Sequence, residues 1–283
     1  KQMNLQQSLT TIKNQTNNDK LFFILGPCVI ENETHSLKIA EFLKELSEKL
    51  KFTLIFKSSF DKANRTSLEN YRGVGIKQGL KILEKVRNTF DVPVITDVHE
   101  SQQVNEIAGV VDVLQIPAFL CRQTDLLIAA GKTKKLINVK KGQFVSAETM
   151  EKVIKKIEST GNKNIWLCER GYTFGYNNLV VDYRNFPIMK KFGKPLVFDA
   201  THSVQRPSGQ GDVSGGDRWL APHLAAAAIV QGISGLFLEV HDEPEKALCD
   251  GPNCIRTSQL ENLIKYCIDL DSWIKNNPIP KVS

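Results

Sequence analysis

From position 21 onward the chain alternates short, continuously apolar, β-rich runs with longer stretches whose apolar residues recur at helical spacing. The strand candidates are 21–25, 52–56, 94–96, 113–116, 136–139, 165–167, 196–198 and 235–238. Between and after them, helical spacing predicts helices over 35–50, 75–90, 101–108, 124–130, 147–159, 186–192, 218–231 and 258–275. Strands that each lead into a helix pair in parallel through right-handed crossovers, and eight such units close most simply into an α/β (β/α)8 TIM barrel. The expectation is a single catalytic domain over 21–283 with a short N-terminal extension over 1–20, in which 15–19 is a turn-rich lead-in. An open, doubly wound sheet is the second choice.

A barrel enzyme places its chemistry at the carboxyl ends of the strands. Each apolar run is indeed followed by polar residues: Cys28 and Glu31, then Lys57, Asp97 and His99, Gln115, Lys140 and Lys141, Glu169 and Arg170, Asp199 and His202, and Glu239 and His241. Any one of these could be a solvated strand end, but a ring of them from all eight strands points to a site. The segment Lys57-Ser-Ser-Phe-Asp-Lys-Ala-Asn-Arg-Thr-Ser67 sets two lysines and an arginine among hydroxyl and amide side chains. Arg65 can fork onto a phosphate, with Asn64, Thr66 and Ser67 as neutral donors, as a doubly anionic small molecule requires. A solvated surface loop is the competing reading for that segment alone.

Composition narrows the function classes. With 41% hydrophobic and 24% charged residues the chain can bury a sizeable core. The net charge of +6 is spread along the sequence without a basic block, so nucleic acid is not an expected partner, and an anionic small molecule accounts for it as well. Neither a signal-peptide pattern nor a long uninterrupted apolar stretch occurs, and the expectation is a cytoplasmic protein with no membrane partner. The six cysteines have neither zinc-ribbon spacing nor disulfide-scaffold density. Cys28, His202, Glu239 and Asp250 fall on the predicted rim, and strands one, seven and eight are neighbours in a closed barrel. Thiolate, imidazole and two carboxylates make a mixed set suited to one divalent transition metal ion, whether zinc, iron, manganese or cobalt. The other cysteines read as buried structural thiols.

From about Phe22 to Leu270 the sequence resembles the 3-deoxy-D-manno-octulosonate 8-phosphate (KDO-8-phosphate) synthases. The resemblance is carried by Gly26-Pro-Cys28, the 57–67 segment, Thr96–Glu100, Gln115–Asp125, Asn138–Gln143, Glu169-Arg-Gly171, Phe174–Asn178, Asp199–Gln205 and Pro244–Leu248. It implies a barrel transferase that condenses phosphoenolpyruvate with D-arabinose 5-phosphate, releasing inorganic phosphate, on the way to lipopolysaccharide. Lys62-Ala-Asn-Arg-Thr-Ser67 looks like the arabinose 5-phosphate enzymes, whereas relatives that use erythrose 4-phosphate typically have Lys-Pro-Arg-Thr-Ser. Cys28, with Cys249-Asp-Gly251, looks like the metal-dependent class. Thr66 departs from a frequent serine.

By the same resemblance the phosphoenolpyruvate phosphate is expected on Lys140, Arg170 and the Ala118 backbone, and its carboxylate on Lys57, Lys62, Ser59 and Gln115. The aldose phosphate is expected on Asn64, Arg65, Thr66 and Ser67, completed by Arg122 of a neighbouring subunit in a homotetramer. Asp97, His202, Asp250 and Lys62 are the expected catalytic residues. The glycine-rich stretch 207–216 is expected as a lid or as an ordinary loop. The erythrose 4-phosphate condensation and a non-catalytic phosphosugar-binding barrel are the rival functions.

Overall fold

The computed structural model describes residues 4–65, 67–210, 213–280 and 282. Strands Phe22–Gly26, Leu54–Lys57, Val94–Asp97, Val113–Ile116, Leu136–Lys140, Ile165–Glu169, Leu196–Asp199 and Gly235–His241 pair side by side in that order, all parallel. The first also pairs with the eighth, from Phe22 opposite Gly235 to Gly26 opposite Glu239. That last pairing closes the sheet into an eight-stranded barrel and rules out the open alternative.

Every residue of these strands is buried, which explains why they read as continuous apolar runs and not as alternating ones. Alternate residues still serve different layers. Phe22, Ile24, Ile55, Ile95, Val113, Trp166 and Phe237 fill the barrel interior, with the Phe22 and Trp166 rings 4.5 Å apart, while Phe23, Leu25, Leu54 and Phe56 pack outward beneath the helices. Several strands run one to three residues past the apolar runs, because their last positions are the polar rim residues themselves: Lys57, Asp97, Lys140, Glu169, Asp199 and His241. The ladder hydrogen bonds therefore fix the backbone that carries the chemistry.

The predicted helices occupy the connections, though 101–108 and 218–231 each begin as a 3-10 turn, Ser101–Gln103 and Arg218–Leu220, before continuing as α-helix. The first barrel helix, Glu33–Leu50, starts where the Asn32 side chain accepts the His35 N–H, and it buries Ile39, Ala40, Leu43 and Leu46 against the strands. The N-terminal segment holds more structure than its sequence suggested. Leu5–Lys13 is a helix with an Asn4/Gln7 capping box, and its Ile12, 1% exposed, joins the interior cluster at the end of the barrel where the strands begin. Two short hairpins add to the predicted elements, Tyr172–Thr173 with Leu179–Val180 and Gln205–Gln210 with Val213–Gly216; the second carries the described part of the glycine-rich stretch 207–216, of which 211 and 212 lie outside the described residues. Among the described residues no helix is long and apolar enough to cross a membrane.

Candidate active site and metal-binding group

The polar strand ends converge on a cavity of about 510 Å³ into which Lys57, Lys62, Lys140 and Arg170 project from the second strand, the loop after it, the fifth strand and the loop after the sixth. With Arg65 the enclosure has five cationic side chains, balanced only in part by carboxylates on the same lining, Asp97 and Asp250 among them, which suits an anionic ligand. Arg170 is 5% exposed, and its Nε and Nη1 have no hydrogen-bond partner, while Nη2 donates to Gln205 Oε1 at 3.3 Å. Buried guanidinium donors without acceptors are costly unless an anion arrives. Lys140 ion-pairs with Asp199, and its Nζ lies 4.0 Å from the centroid of the Phe237 ring. Burial alone would lower the Lys140 pKa, but the Asp199 carboxylate outweighs it and the net shift is upward.

Lys57 Nζ donates to Ser59 Oγ at 2.7 Å and sits 3.6 Å from Asp97 and 3.7 Å from Glu239. Asp97 in turn accepts from the Ser59 hydroxyl and from Gln115 Nε2, the latter at 2.6 Å. Burial would raise the Asp97 pKa, yet Lys57 and Lys62 hold it well below the usual carboxylate range, so Asp97 is a fixed anion at neutral pH. Lys62 is held as an ammonium, since burial is outweighed by the anionic groups around it, Glu239 and Asp97 among them, and its pKa rises well above the ordinary value. Ser59 and Gln115 do not line the cavity; they lie among the fully buried groups and hold Lys57 and Asp97 in place. Ala118 does line it.

The expected metal ligands fall into two overlapping groups that share Asp250. Cys28 Sγ is 3.5 Å from Asp250 Oδ2, and His202 Nε2 is 3.5 Å from Glu239 Oε1 and 3.7 Å from Asp250 Oδ2. Cys28, Cys249 and Asp250, and likewise His202, Glu239 and Asp250, place their ligand atoms within 4.8 Å of one another, with Asp250 shared. Three features fit a divalent cation. Both Glu239 carboxylate oxygens are buried without a hydrogen-bond partner. His202 Nδ1 is 2.7 Å from Asp199 Oδ2, which leaves Nε2 facing Glu239 and Asp250, the arrangement of a carboxylate-oriented histidine ligand. Asp250 is an anion, because His202, Lys62 and Arg65 together outweigh burial and lower its pKa. Burial and Cys249 push the Cys28 thiol well above its usual value, so a metal would displace its proton on binding.

Cys249 is a buried free thiol, as expected, but it is also part of the site: its sulfur is 2.9 Å from Cys28 Sγ and it lines the cavity. Its partner lies 221 positions away, so no local spacing could reveal the contact. His99, Gln143 and Gln205 also line the cavity without having been given roles, and Gln205 Nε2 donates to Asp250 Oδ1 at 3.2 Å. The only signal for the two glutamines was that each ends one of the long motifs.

Of the expected aldose-phosphate residues, Asn64 and Arg65 line the same cavity. Arg65 donates from Nη1 to Cys249 Sγ at 2.9 Å and from Nη2 to the Leu248 carbonyl at 3.2 Å. Ser67 is half-buried off the lining, and Thr66 lies outside the described residues. Arg122 is exposed and does not reach the cavity within one chain.

Comparison with known proteins agrees with this geometry. The chain matches the DAHP synthetase I family over residues 5–276. The 2-dehydro-3-deoxyphosphooctonate aldolase of Geobacter sp. (strain M21) is 56% identical over 254 residues, covering 90% of this chain and 93% of the relative. The proteins of the same name from Geobacter sulfurreducens and Dichelobacter nodosus are each 53% identical, over 90% and 93% of this chain and 94% and 96% of their own lengths. With a family match running from the N-terminal helix to the last one, and more than half of the aligned residues identical in these relatives, this chain belongs to the DAHP synthetase I family.

Proposed function

We propose that the protein is a metal-dependent KDO-8-phosphate synthase, which condenses phosphoenolpyruvate, D-arabinose 5-phosphate and water to KDO 8-phosphate and inorganic phosphate in lipopolysaccharide biosynthesis. The observation that carries this reading is the convergence of Lys57, Lys62, Lys140 and Arg170 on one cavity beside the Cys28/His202/Glu239/Asp250 group. The name shared by the curated relatives describes the same product. Arg170, with its free buried donors, and Lys140 receive the phosphate of phosphoenolpyruvate, with the Ala118 backbone beside them. Lys57 and Lys62 receive its carboxylate, and Ser59 and Gln115 keep the Lys57/Asp97 pair in register.

Holding one substrate at both ends leaves its methylene carbon to meet the aldehyde of the second, which converts an encounter into a positioned reaction. Asn64 and Arg65, followed in the chain by Thr66 and Ser67, receive the aldose phosphate. Asp97, fixed as an anion, accepts sugar hydroxyls, and Asp250 and His202 flank the reacting end. Cys28, His202, Glu239 and Asp250 would hold zinc, iron, manganese or cobalt, which supplies Lewis-acid polarisation of the aldehyde or activation of water.

The reading extends to a cytoplasmic homotetramer in which Arg122 completes a neighbour's aldose-phosphate pocket. Exposed Phe119, Phe144, Phe174 and Tyr176 on the loops of the fourth to sixth strands support an interface there, and six free cysteines suit a reducing compartment. The test is phosphate release from phosphoenolpyruvate with arabinose 5-phosphate and, in parallel, with erythrose 4-phosphate, before and after chelation. Release with the five-carbon sugar alone, lost on chelation and restored by metal, is expected. Equal or greater release with erythrose 4-phosphate sinks the substrate assignment, and none with either sugar leaves a binding protein.

A further inference from the structure

Four segments bring residues to the proposed metal group, and three of them are neighbours: the loop after the first strand with Cys28, the eighth strand with Glu239, and the loop after it with Asp250. A single carboxylate outside that group ties the three together. Glu31, three positions past Cys28, accepts at the same oxygen, Oε1, from His241 Nε2 at 3.2 Å and from the Leu248 backbone N–H at 2.9 Å. His241 is two positions past Glu239, and Leu248 is two positions before Asp250. Both nitrogens of His241 are engaged: Nε2 faces Glu31, while Nδ1 lies 2.9 Å from the Glu243 N–H and 3.2 Å from Asp242 Oδ1. Glu31, His35 and His241 also lie within 4.8 Å of one another. Burial would raise the Glu31 pKa, but the bonds from His241 and Leu248 outweigh it and keep the carboxylate ionised, which strengthens both contacts.

The Leu248 peptide is gripped from its other side as well, by Arg65 on its carbonyl. Arg65 is the residue assigned to the aldose phosphate, and a bound phosphate would compete with Leu248 for its guanidinium. Glu31 then remains as the fixed anchor of the loop that carries Asp250.

Resting on the reading of a metal-dependent synthase, we infer that Glu31 is a positioning residue for the metal group, setting the Leu248–Asp250 loop against Cys28 and Glu239 through Leu248 and His241. The experiment is titration of metal-free enzyme with zinc against a chromophoric chelator, on wild type, Glu31→Ala and Glu31→Gln. Outer-shell partners of metal ligands typically govern roughly 10- to 100-fold in affinity. Glu31→Ala should weaken zinc binding by about that factor. Glu31→Gln, whose amide oxygen can accept both bonds, should stay within about 3-fold of wild type. The KM for phosphoenolpyruvate should change far less than the zinc affinity, because Lys140 and Arg170 come from the fifth strand and the loop after the sixth. If the alanine variant fails to fold, Glu31→Asp, one methylene too short to reach both donors, takes its place with the same expectation. Wild-type zinc affinity in the shortened variants, or an equal rise in the phosphoenolpyruvate KM, overturns the positioning role. No zinc uptake by wild type overturns the metal-dependent reading on which it rests, so the two failures are separable.

Discussion

Asp199 faces His202 and Lys140 at once, 2.7 Å from His202 Nδ1 and ion-paired with the lysine from the fifth strand. Burial would raise its pKa, but the two neighbours hold it far below the usual carboxylate range, so Asp199 stays ionised throughout the pH range in which an enzyme operates. One buried carboxylate thus orients a proposed metal ligand and neutralises a proposed phosphate-binding lysine. Asp199→Asn should weaken metal binding by roughly 10- to 100-fold, because an amide no longer enforces the His202 tautomer. It should also raise the KM for phosphoenolpyruvate, because without the Asp199 carboxylate burial is no longer outweighed and Lys140 loses part of its charge. Chelator competition and steady-state kinetics on the same preparation check both. A variant that loses only one of the two functions contradicts the shared role.

Arg170 lines the cavity, and its buried Nε and Nη1 have no acceptor, so its guanidinium keeps donor capacity for an anion. Arg170→Lys keeps the charge and removes the planar array of donors. A charged hydrogen bond contributes about 1.5–3 kcal/mol, which corresponds to roughly a 10- to 150-fold loss in kcat/KM. The loss is expected mainly as a higher KM for phosphoenolpyruvate, with the KM for the aldose little changed. Initial rates with each substrate varied in turn distinguish this from a general defect.

His99 gives the protein an acid-sensitive element. Its ring is edge-on to Phe60 at 5.6 Å, its Nδ1 has no partner, and burial lowers its pKa from the ordinary 6.5 despite the opposing pull of Asp97. The unfolded chain therefore binds a proton near pH 6.5 that the folded chain refuses until lower pH. The stability this group contributes is present above its ordinary value and is lost as the pH falls toward the folded one. Asp97 and Asp199, both shifted down, add a separate loss only below their ordinary 3.8. The Tm of wild type should fall between about pH 7.5 and about pH 5.5, and His99→Gln should flatten that fall. An unchanged slope in the variant would show that another group titrates there.

Much of the fold was legible because a parallel barrel strand is buried on both faces and leaves an uninterrupted apolar run, and because such a run ends where the polar rim begins. The same logic brought out Lys57, Asp97, Lys140, Arg170, His202 and Glu239 as residues of one site. The contact of Cys249 with Cys28 was not legible: both lie in loops, and only closure of the first strand on the eighth brings them together. Ser59 and Gln115 illustrate a different limit, since residue type indicates polarity but not whether a polar group meets the ligand or supports the group that does. Glu31 was visible as a rim residue, while its link to Leu248 spans 217 positions and arises only from the loop geometry.

The N-terminal helix was missed because Leu5–Lys13 is nearly neutral in hydropathy and buries only Ser8 and Ile12. Its one deeply buried apolar side chain nevertheless sits in the interior cluster with Phe22, Leu136 and Trp166, at the end of the barrel remote from the cavity. Truncating a buried isoleucine to alanine costs about 2–5 kcal/mol when the surroundings cannot collapse onto the space, and strand side chains in a closed barrel have little freedom to do so. Ile12→Ala should therefore lower the unfolding free energy extrapolated from urea denaturation by an amount in that range while leaving the KM for both substrates and the metal affinity as in wild type. Stability lost without change at the site would establish the helix as a floor for the barrel. A parallel loss of substrate affinity would instead tie the N-terminal segment to the chemistry at the other end.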